Sequence, residues 1–401
     1  MKNEIKILLI KEVEALKDTI SHISSTIHGN PETSGKEVMA VELLTAIFKD
    51  NGFKVTKQLA GFPTAFQAEI TSNKEGPRIA LLAEYDALPD LGHACGHNLI
   101  AAASAGAALA LSRVVKRLRG TIVVIGTPAE ETNGAKVKLV EAGVFEHINA
   151  AMMFHPGDCN TVEVTSSALE ALEFIFQGKA AHAASAAEYG INALEGLFEF
   201  FQHIKLLRED LPETASVQGI ITEGGLTPNI IPERAAARFY LRDSSRQQLN
   251  DLVKKVQSAA LEAAEATATK VKWYNYEYSY ENLVTNIPLA KTFAYNLNRL
   301  GVADLTRTMG GKGSLDMGNV SHKVPAIHPY LTLVKSGVVP HSREFAAAAG
   351  SEQAEKLVLL ASKALAMTSV DLMLNPALLK HINNYFEMGK SKKNWIRSLI
   401  T

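Results

Sequence analysis

The segment LGHACGHN, residues 91–98, places two histidines and one cysteine within five positions. Thiolate and imidazole groups bind Zn²⁺ and similar divalent ions, whereas a cysteine beside a histidine can also act as an activated nucleophile. One glycine separates Cys95 from His97, so in an extended loop both side chains would point to the same side and could bind one ion. A single cysteine or histidine is as often an inert buried residue, but the pair favours a metal site.

Two adjacent carboxylates, Glu130 and Glu131, follow the apolar run TIVVIG. They would repel each other unless a positive charge lay beside them, and a metal ion would supply that charge. Because neighbouring side chains point in different directions, one carboxylate could bind the metal while the other takes a proton from water. The alternative is a solvated helix N-terminus, where acidic residues interact favourably with the helix dipole.

Further polar residues follow other apolar runs. Glu84 and Asp86 follow RIALLA, His155 follows AAMMF and precedes a proline, and His341 is placed just after a strand in the same way. Each histidine could be a metal ligand or a hydrogen-bonded core residue. Asp86 could accept the free N–H of a histidine ligand, or it could be a turn residue ahead of a proline.

The elements that carry these residues alternate between strand and helix, which predicts an α/β fold with a doubly wound, mostly parallel sheet. Parallel strands bring their carboxyl ends to one edge, where such folds bind ligands, so residues about seventy positions apart can meet there. The predicted elements are strand 78–83, helix 99–116, strand 121–126, helix 135–142 and strand 150–154.

The pattern changes over residues 167–283 to strand, helix, strand, strand, helix, strand, which predicts an inserted ferredoxin-like domain. Residues 1–166 and 284–401 would form the first domain, which resumes with a helix from Ile287, a strand IHPYLTLV and helices from Ser351.

The composition is that of an ordinary globular protein of about two domains, with 401 residues. Lys plus Arg (41) nearly equals Asp plus Glu (42), so we expect a small-molecule partner and neither nucleic acid nor a membrane surface. The apolar run LIAAASAGAALALS is interpreted as a buried helix. Two cysteines, Cys95 and Cys159, offer no disulfide framework, which favours the cytoplasm.

Taken in order, seven motifs resemble the dinuclear metallopeptidase family of aminoacylase, carboxypeptidase G and hippurate hydrolase. Within it, HACGH is similar to the amidohydrolase branch, and Asn98 with EYDALP is more similar to aminobenzoyl-glutamate hydrolases and β-alanyl dipeptidases. The motifs are LLAEYDALP, GHACGHN, GTPAEE, MMFHP, GKAAHAAS, GGLTPNIIPE and PHSREF.

The resemblance implies a zinc-peptidase-like catalytic domain and an inserted lid through which two copies form a homodimer, with a tetramer as the alternative. It implies two divalent ions per subunit, Zn, Mn or Co, and Glu130 as general base, with Asp86 matching a supporting acid of the catalytic site. His182 would stabilise the oxyanion, and Asn229 and Arg242 would be further substrate contacts. The implied metal ligands are Cys95, His97, Glu131, His155 and His341.

The sequence therefore predicts a metal-dependent amidohydrolase that cleaves the amide bond of an N-acyl amino acid or a short dipeptide through a metal-activated water. Two alternatives remain open at this point. One is a cysteine hydrolase that uses Cys95 and a histidine, and the other is a noncatalytic protein that binds peptides or acylated amino acids.

Overall fold

The computed structural model divides the chain into two compact units. The first comprises Met1–Thr165, Val284–Gly310 and Asn319–Thr401, and the second comprises Ser166–Leu283 and Gly311–Gly318. The second unit thus interrupts the first along the chain. The residues that the structure describes are 2–306, 309–311 and 313–398.

The helices and strands of both units are numbered in chain order, and α6, α7 and β8 to β11 belong to the second unit. The helices are α1 Lys2–Ala15, α2 Lys17–Gly29, α3 Val38–Asp50, α4 His97–Val114, α5 Ala135–Glu141, α6 Ala193–Glu209, α7 Arg246–Ala266, α8 Ile287–Arg299, α9 Met317–Lys323, α10 Arg343–Ala349, α11 Glu352–Leu374 and α12 Pro376–Ser398. The strands are β1 Lys54–Lys57, β2 Phe66–Thr71, β3 Arg78–Ala83, β4 Thr121–Gly126, β5 Ala150–Met152, β6 His155–Gly157, β7 Val164–Thr165, β8 Ala168–Gln177, β9 Ser216–Glu223, β10 Arg234–Asp243, β11 Lys270–Asn275, β12 Met309–Gly310, β13 Ala326–Ile327 and β14 Tyr330–Thr332.

The main sheet of the first unit has six strands in the order β1-β2-β4-β3-β5-β13. The pairs β4–β3, β3–β5 and β5–β13 are parallel, whereas β1–β2 and β2–β4 are antiparallel. Strand β3 is buried from Ile79 to Ala83, which is typical of a parallel sheet that is covered on both faces. The predicted mostly parallel α/β sheet is confirmed.

One predicted strand, IHPYLTLV, is wrong as a single element. Its first residue ends β13, and Tyr330–Thr332 forms β14, which pairs in parallel with β6 outside the main sheet. His328 and Pro329 lie between the two strands, and the proline has no N–H to donate to a continuous ladder.

Helix α4 is the central helix of the first unit and packs against β3, α2 and α11. It begins at His97, two residues before the predicted start, and its alanine-rich surface is almost entirely buried. By length and composition, His97–Arg117 and Glu352–Leu374 could each cross a membrane, but 83% of the apolar window of each is buried within the structure. Core helices pass the same test, so these segments are weak evidence for membrane spans.

The second unit is an antiparallel sheet in the order β11-β8-β10-β9, with helices α6 and α7 packed on it. Side chains from all of these elements except the edge strand β11 supply its buried core, which includes Phe174, Phe200 and Phe239. The order of elements along the chain is that of a ferredoxin-like fold, as predicted from the sequence. Helices α6 and α7 are capped at their N-termini by Asn192 and Ser245, whose side chains accept backbone N–H groups of the first turn.

Gly106 lies in the buried part of α4, and its substitution tests how closely this helix packs against its neighbours. A methyl group there would lie 2.6 Å from Ile20 Cδ1 and 2.7 Å from Ser362 Oγ, so these buried side chains or the helices that carry them would have to shift. Although alanine favours helices, we expect Gly106→Ala to lower the free energy of unfolding by about 1–3 kcal/mol. Urea denaturation measures this change.

Gly389 in α12 is the matched control, because a methyl group there has nothing within 4 Å. Gly389→Ala should leave stability unchanged or raise it by up to about 1 kcal/mol. Equal effects of the two substitutions would contradict the packing argument.

Candidate metal centre

His97 lies at the start of α4 and presents one ring nitrogen to a cluster of carboxylates. Its Nδ1–H donates to the Asp86 carboxylate (2.9 Å) and the Asp86 carbonyl oxygen (3.0 Å), so Nε2 is the ring nitrogen that faces the cluster. The buried Nε2 has no hydrogen-bond partner among the described residues. A histidine held in this way has its ring orientation and tautomer fixed for binding a metal ion.

The loop before His97 is not extended, contrary to the sequence-based expectation. Gly96 has φ +78°, in the left-handed region, and caps α4. A Cβ at this position would lie 2.5 Å from Pro156 Cγ, so only glycine allows Cys95 and His97 to approach the strand that carries His155.

Asp86 connects three segments of the first unit. Besides His97, it accepts hydrogen bonds from Ser34 Oγ (2.8 Å) and from the backbone N–H of Glu131 (3.0 Å). Burial alone would raise the pKa of Asp86, but the charge of His97 and these hydrogen bonds hold that pKa well below its usual range. Burial alone would lower the pKa of His97, yet the Asp86 carboxylate raises that pKa well above its usual value.

The two glutamates converge on His97, and the expectation that they point in different directions is wrong. Glu130 Oε2 lies 3.9 Å and Glu131 Oε1 3.8 Å from His97 Nε2. Both residues lie in the loop between β4 and α5, close to Ala129 with φ +58°. Because that backbone conformation turns the chain, adjacent side chains can reach the same centre.

His155 is the first residue of β6 and follows β5 after a break of two residues. Its Nδ1–H donates to the Pro156 carbonyl oxygen at 2.7 Å, so its Nε2 lone pair faces Cys95 Sγ at 3.4 Å. Burial lowers the pKa of His155 to about 4, so the imidazole is neutral at neutral pH and able to bind a metal.

His341 lies in the loop before α10, nine residues beyond the end of β14, so its predicted position directly after a strand is wrong. Its φ is +65°, and its backbone N–H donates to the Ala94 carbonyl oxygen at 2.9 Å. This contact brings His341 Nε2 to 3.3 Å from Glu131 Oε2, with about half of the side chain exposed.

The candidate ligand atoms form three overlapping groups in which all ligand atoms lie within 4.8 Å of one another. Glu131 also has a buried oxygen, Oε1, without a hydrogen-bond partner among the described residues. Imidazole nitrogens, a thiol and carboxylate oxygens are a suitable donor set for a divalent metal. The groups are Cys95–His97–His155, Cys95–Glu131–His341 and His97–Glu130–Glu131.

The environment of Cys95 argues against a free nucleophilic thiolate. Burial raises the pKa of the Cys95 thiol well above its usual value, and this effect outweighs the charge of His97, which acts in the opposite direction. A reactive cysteine requires the opposite shift, whereas a bound cation stabilises the thiolate directly.

Three buried residues around the cluster were not predicted as site residues. Lys136 in α5 pairs with Glu84, and His328 lies against His155 with ring centroids 5.4 Å apart. Lys136 occupies a position in an amphipathic helix that resembles a surface lysine, and His328 stands inside a predicted strand. No sequence motif distinguishes either residue from its ordinary structural role.

Two other residues of the HACGHN segment point away from the candidate ligands. Asn98 donates to Ser24 Oγ and to the Ala349 carbonyl oxygen, both at 3.0 Å, and so ties α4 to α2 and α10. His93 is buried and its ring stacks on that of His28. The asparagine therefore has a packing role in this structure.

The predicted substrate contacts belong to the second unit. His182 is exposed, and its Nδ1 accepts the backbone N–H groups of Ala184 and Ser185. The backbone N–H of Ala183 donates to the Asn229 carbonyl oxygen. Arg242 on β10 donates to Gln218 and lies over the Tyr240 ring. Their roles toward a substrate stay predictions.

Comparison with known proteins identifies the class of this site. Residues 167–268 match the M20 peptidase dimerisation domain. The chain is 35% identical over 392 residues to Xaa-Arg dipeptidase of Mus musculus, covering 94% of this chain and 91% of the relative. It is 27% identical over 446 residues to one of the subunits of p-aminobenzoyl-glutamate hydrolase of Escherichia coli K12, covering 92% of each.

The chain belongs to the M20 family. It is a metal-dependent amidohydrolase, and the resemblance stated from its motifs is confirmed. The solved Bacillus subtilis YXEP protein, described as a dinuclear metal-binding peptidase of the M20 family, has the same fold. Its TM-score is 0.69 at 20% identity, and the match covers 90% of this chain and 99% of that one.

Ligation by Cys95 in this M20 enzyme can be tested with the chain's other cysteine as control. Cys95→Ser replaces a soft ligand by a hydroxyl, so we expect lower metal content after dialysis and weaker affinity for Zn²⁺ by at least about tenfold. Cys159 is outside the three ligand groups, and Cys159→Ser should keep the wild-type metal content. Metal analysis by mass spectrometry decides the matter, and equal metal content in both variants would rule out Cys95 as a ligand.

Proposed function

We propose that this enzyme is a dinuclear metallopeptidase that hydrolyses short dipeptides, with a dipeptide carrying a C-terminal arginine as the first candidate substrate. The observation that carries the proposal is the set of three overlapping ligand groups, in which Cys95 is shared with His155 in one group and with Glu131 in another. The 35% identity to Xaa-Arg dipeptidase over most of both chains supports the choice of substrate.

The metal-binding residues in this proposal are Cys95, His97, Glu131, His155 and His341, with Glu130 left to handle protons. When bound, divalent cations polarise the amide carbonyl and lower the pKa of water toward neutrality. Glu130 takes one proton from the attacking water and returns it to the leaving nitrogen, which gives a carboxylic acid group and a free amine. We propose His182, Asn229 and Arg242 as groups that bind the substrate, with Arg242 pairing with its carboxylate.

Metal-stripped protein tests the function directly. We expect no hydrolysis without metal, and recovery when Zn²⁺, Mn²⁺ or Co²⁺ is restored, measured by release of the free amine from a panel of amides. The panel contains Xaa-Arg dipeptides, aminobenzoyl-glutamate and N-acetylcysteine. If aminobenzoyl-glutamate or N-acetylcysteine is hydrolysed faster than the Xaa-Arg dipeptides, the proposed substrate is wrong. Activity that survives metal removal but is lost on thiol alkylation would indicate a cysteine hydrolase.

Glu130→Gln is the matched variant for this assay. It removes the proton acceptor but none of the five proposed ligands, so the rate should fall by roughly 10²- to 10⁴-fold while metal content stays near that of the wild type. Glu131→Gln should instead lose metal as well as activity. Retained turnover by Glu130→Gln would refute the assignment of the base, and binding of the panel without product release by the wild type would favour a noncatalytic binder.

We also propose a homodimer formed through the second unit. Its match to a dimerisation domain supports this, as does the edge strand β9, where Ile220 is 65% exposed and Ile221 43% exposed. An edge strand with exposed isoleucines offers both unpaired backbone groups and apolar surface to a second copy.

Ile220→Glu should shift the dimer toward monomer by placing a charge in that interface, as measured by analytical ultracentrifugation over a concentration series. Ile7→Glu is the control, because Ile7 is 52% exposed on α1 in the first unit. A dimer that is unaffected by Ile220→Glu would place the interface elsewhere, and a larger species would indicate a tetramer.

A further inference from the structure

A buried ion pair lies directly beside the proposed ligands and has no place in the mechanism above. Lys136 Nζ is 2.7 Å from Glu84 Oε1, and the two side chains are 0% and 2% exposed. Glu84 immediately follows β3, and Lys136 is the second residue of α5. Removing two charges from water is costly, so such a pair adds little to stability unless its charges have further partners.

The second oxygen of Glu84 faces the candidate metal centre. Glu84 Oε2 lies 3.5 Å from His97 Nε2, closer than the oxygens of Glu130 and Glu131 at 3.9 and 3.8 Å. Both Glu84 Oε2 and His97 Nε2 are buried without a hydrogen-bond partner among the described residues. A divalent cation bound at His97 Nε2 would therefore lie beside an anionic oxygen that accepts no hydrogen bond from the described residues.

The orientation of the pair adds to this argument. Lys136 Nζ contacts Oε1, and Oε2 is the oxygen that lies beside His97. In a site closed to solvent, a carboxylate a few ångströms from a cation attracts it far more strongly than it would in water.

We propose that Glu84, fixed by Lys136, is a further anionic group of the metal site and raises its affinity for a divalent cation at His97. This inference rests on the proposed metal centre but assigns Glu84 and Lys136, which are outside the ligand set named above. Lys136 acts through Glu84 and is a positioning residue.

Zn²⁺ titration of metal-stripped full-length protein against a competing chelator tests the inference. Glu84→Gln keeps the side-chain shape and an oxygen for Lys136 but removes the charge, so affinity for Zn²⁺ should fall by about 10- to 100-fold. Glu84→Asp retains the charge and should lie between Gln and wild type, which covers the case of a poorly folding Gln variant. Affinity of Glu84→Gln within twofold of the wild type would overturn the inference.

Thermal unfolding of Lys136→Met supplies a second readout. Lys136→Met removes the group that fixes Glu84 but keeps the Glu84 carboxylate. The increase in Tm on adding Zn²⁺ should therefore be smaller in Lys136→Met than in the wild type, and smaller still in Glu84→Gln. An unchanged or larger increase in Lys136→Met counts against the positioning role of Lys136.

Lys6→Met is the matched control for losing a buried lysine. Lys6 is 1% exposed and pairs at 2.5 Å with Asp371, another buried carboxylate of the first unit. This variant should lose stability with unchanged affinity for Zn²⁺. If wild-type protein binds no Zn²⁺, the proposed metal centre and this inference fail together, whereas wild-type binding that Glu84→Gln fully retains removes only this inference.

Discussion

The hydrogen bond from His97 to Asp86 is the interaction on which the metal centre depends. It determines which imidazole nitrogen carries the proton and therefore which one can bind a cation. The same carboxylate holds the backbone of Glu131 and the hydroxyl of Ser34. One buried aspartate thus joins the exit of β3, the start of α4 and the loop of the two glutamates into a single rigid arrangement.

The other candidate ligands are positioned in the same way, by one anchoring contact that turns a ring nitrogen toward the centre. His155 is anchored by Pro156, and His341 is brought in through its backbone contact with Ala94. Polar atoms without a hydrogen-bond partner are costly to bury, and a bound cation offsets that cost. The unpaired polar atoms of the centre therefore lower the stability of the metal-free protein, and the same atoms allow it to bind a metal.

The sequence predicted the fold class well because apolar runs and helical spacing report burial directly. It also found the cluster of ligand types, because those types follow apolar runs one after another. It could not predict that Gly96 adopts a left-handed conformation or that Glu130 and Glu131 point to the same centre. These features depend on positive backbone φ values and on contacts with Pro156 and His97, which no local pattern encodes. The burial of Lys136 is hidden for the same reason.

The wide separation of the ligands along the chain has a consequence for synthesis on the ribosome. The candidate ligands begin at Cys95 and end at His341, and the whole sequence of the second unit lies between them. A nascent polypeptide that has not yet reached His341 lacks one group of the centre, however well its amino-terminal half has folded. Complete loading with metal is therefore a late event in the maturation of this protein, after the carboxyl-terminal segment has returned to the first unit.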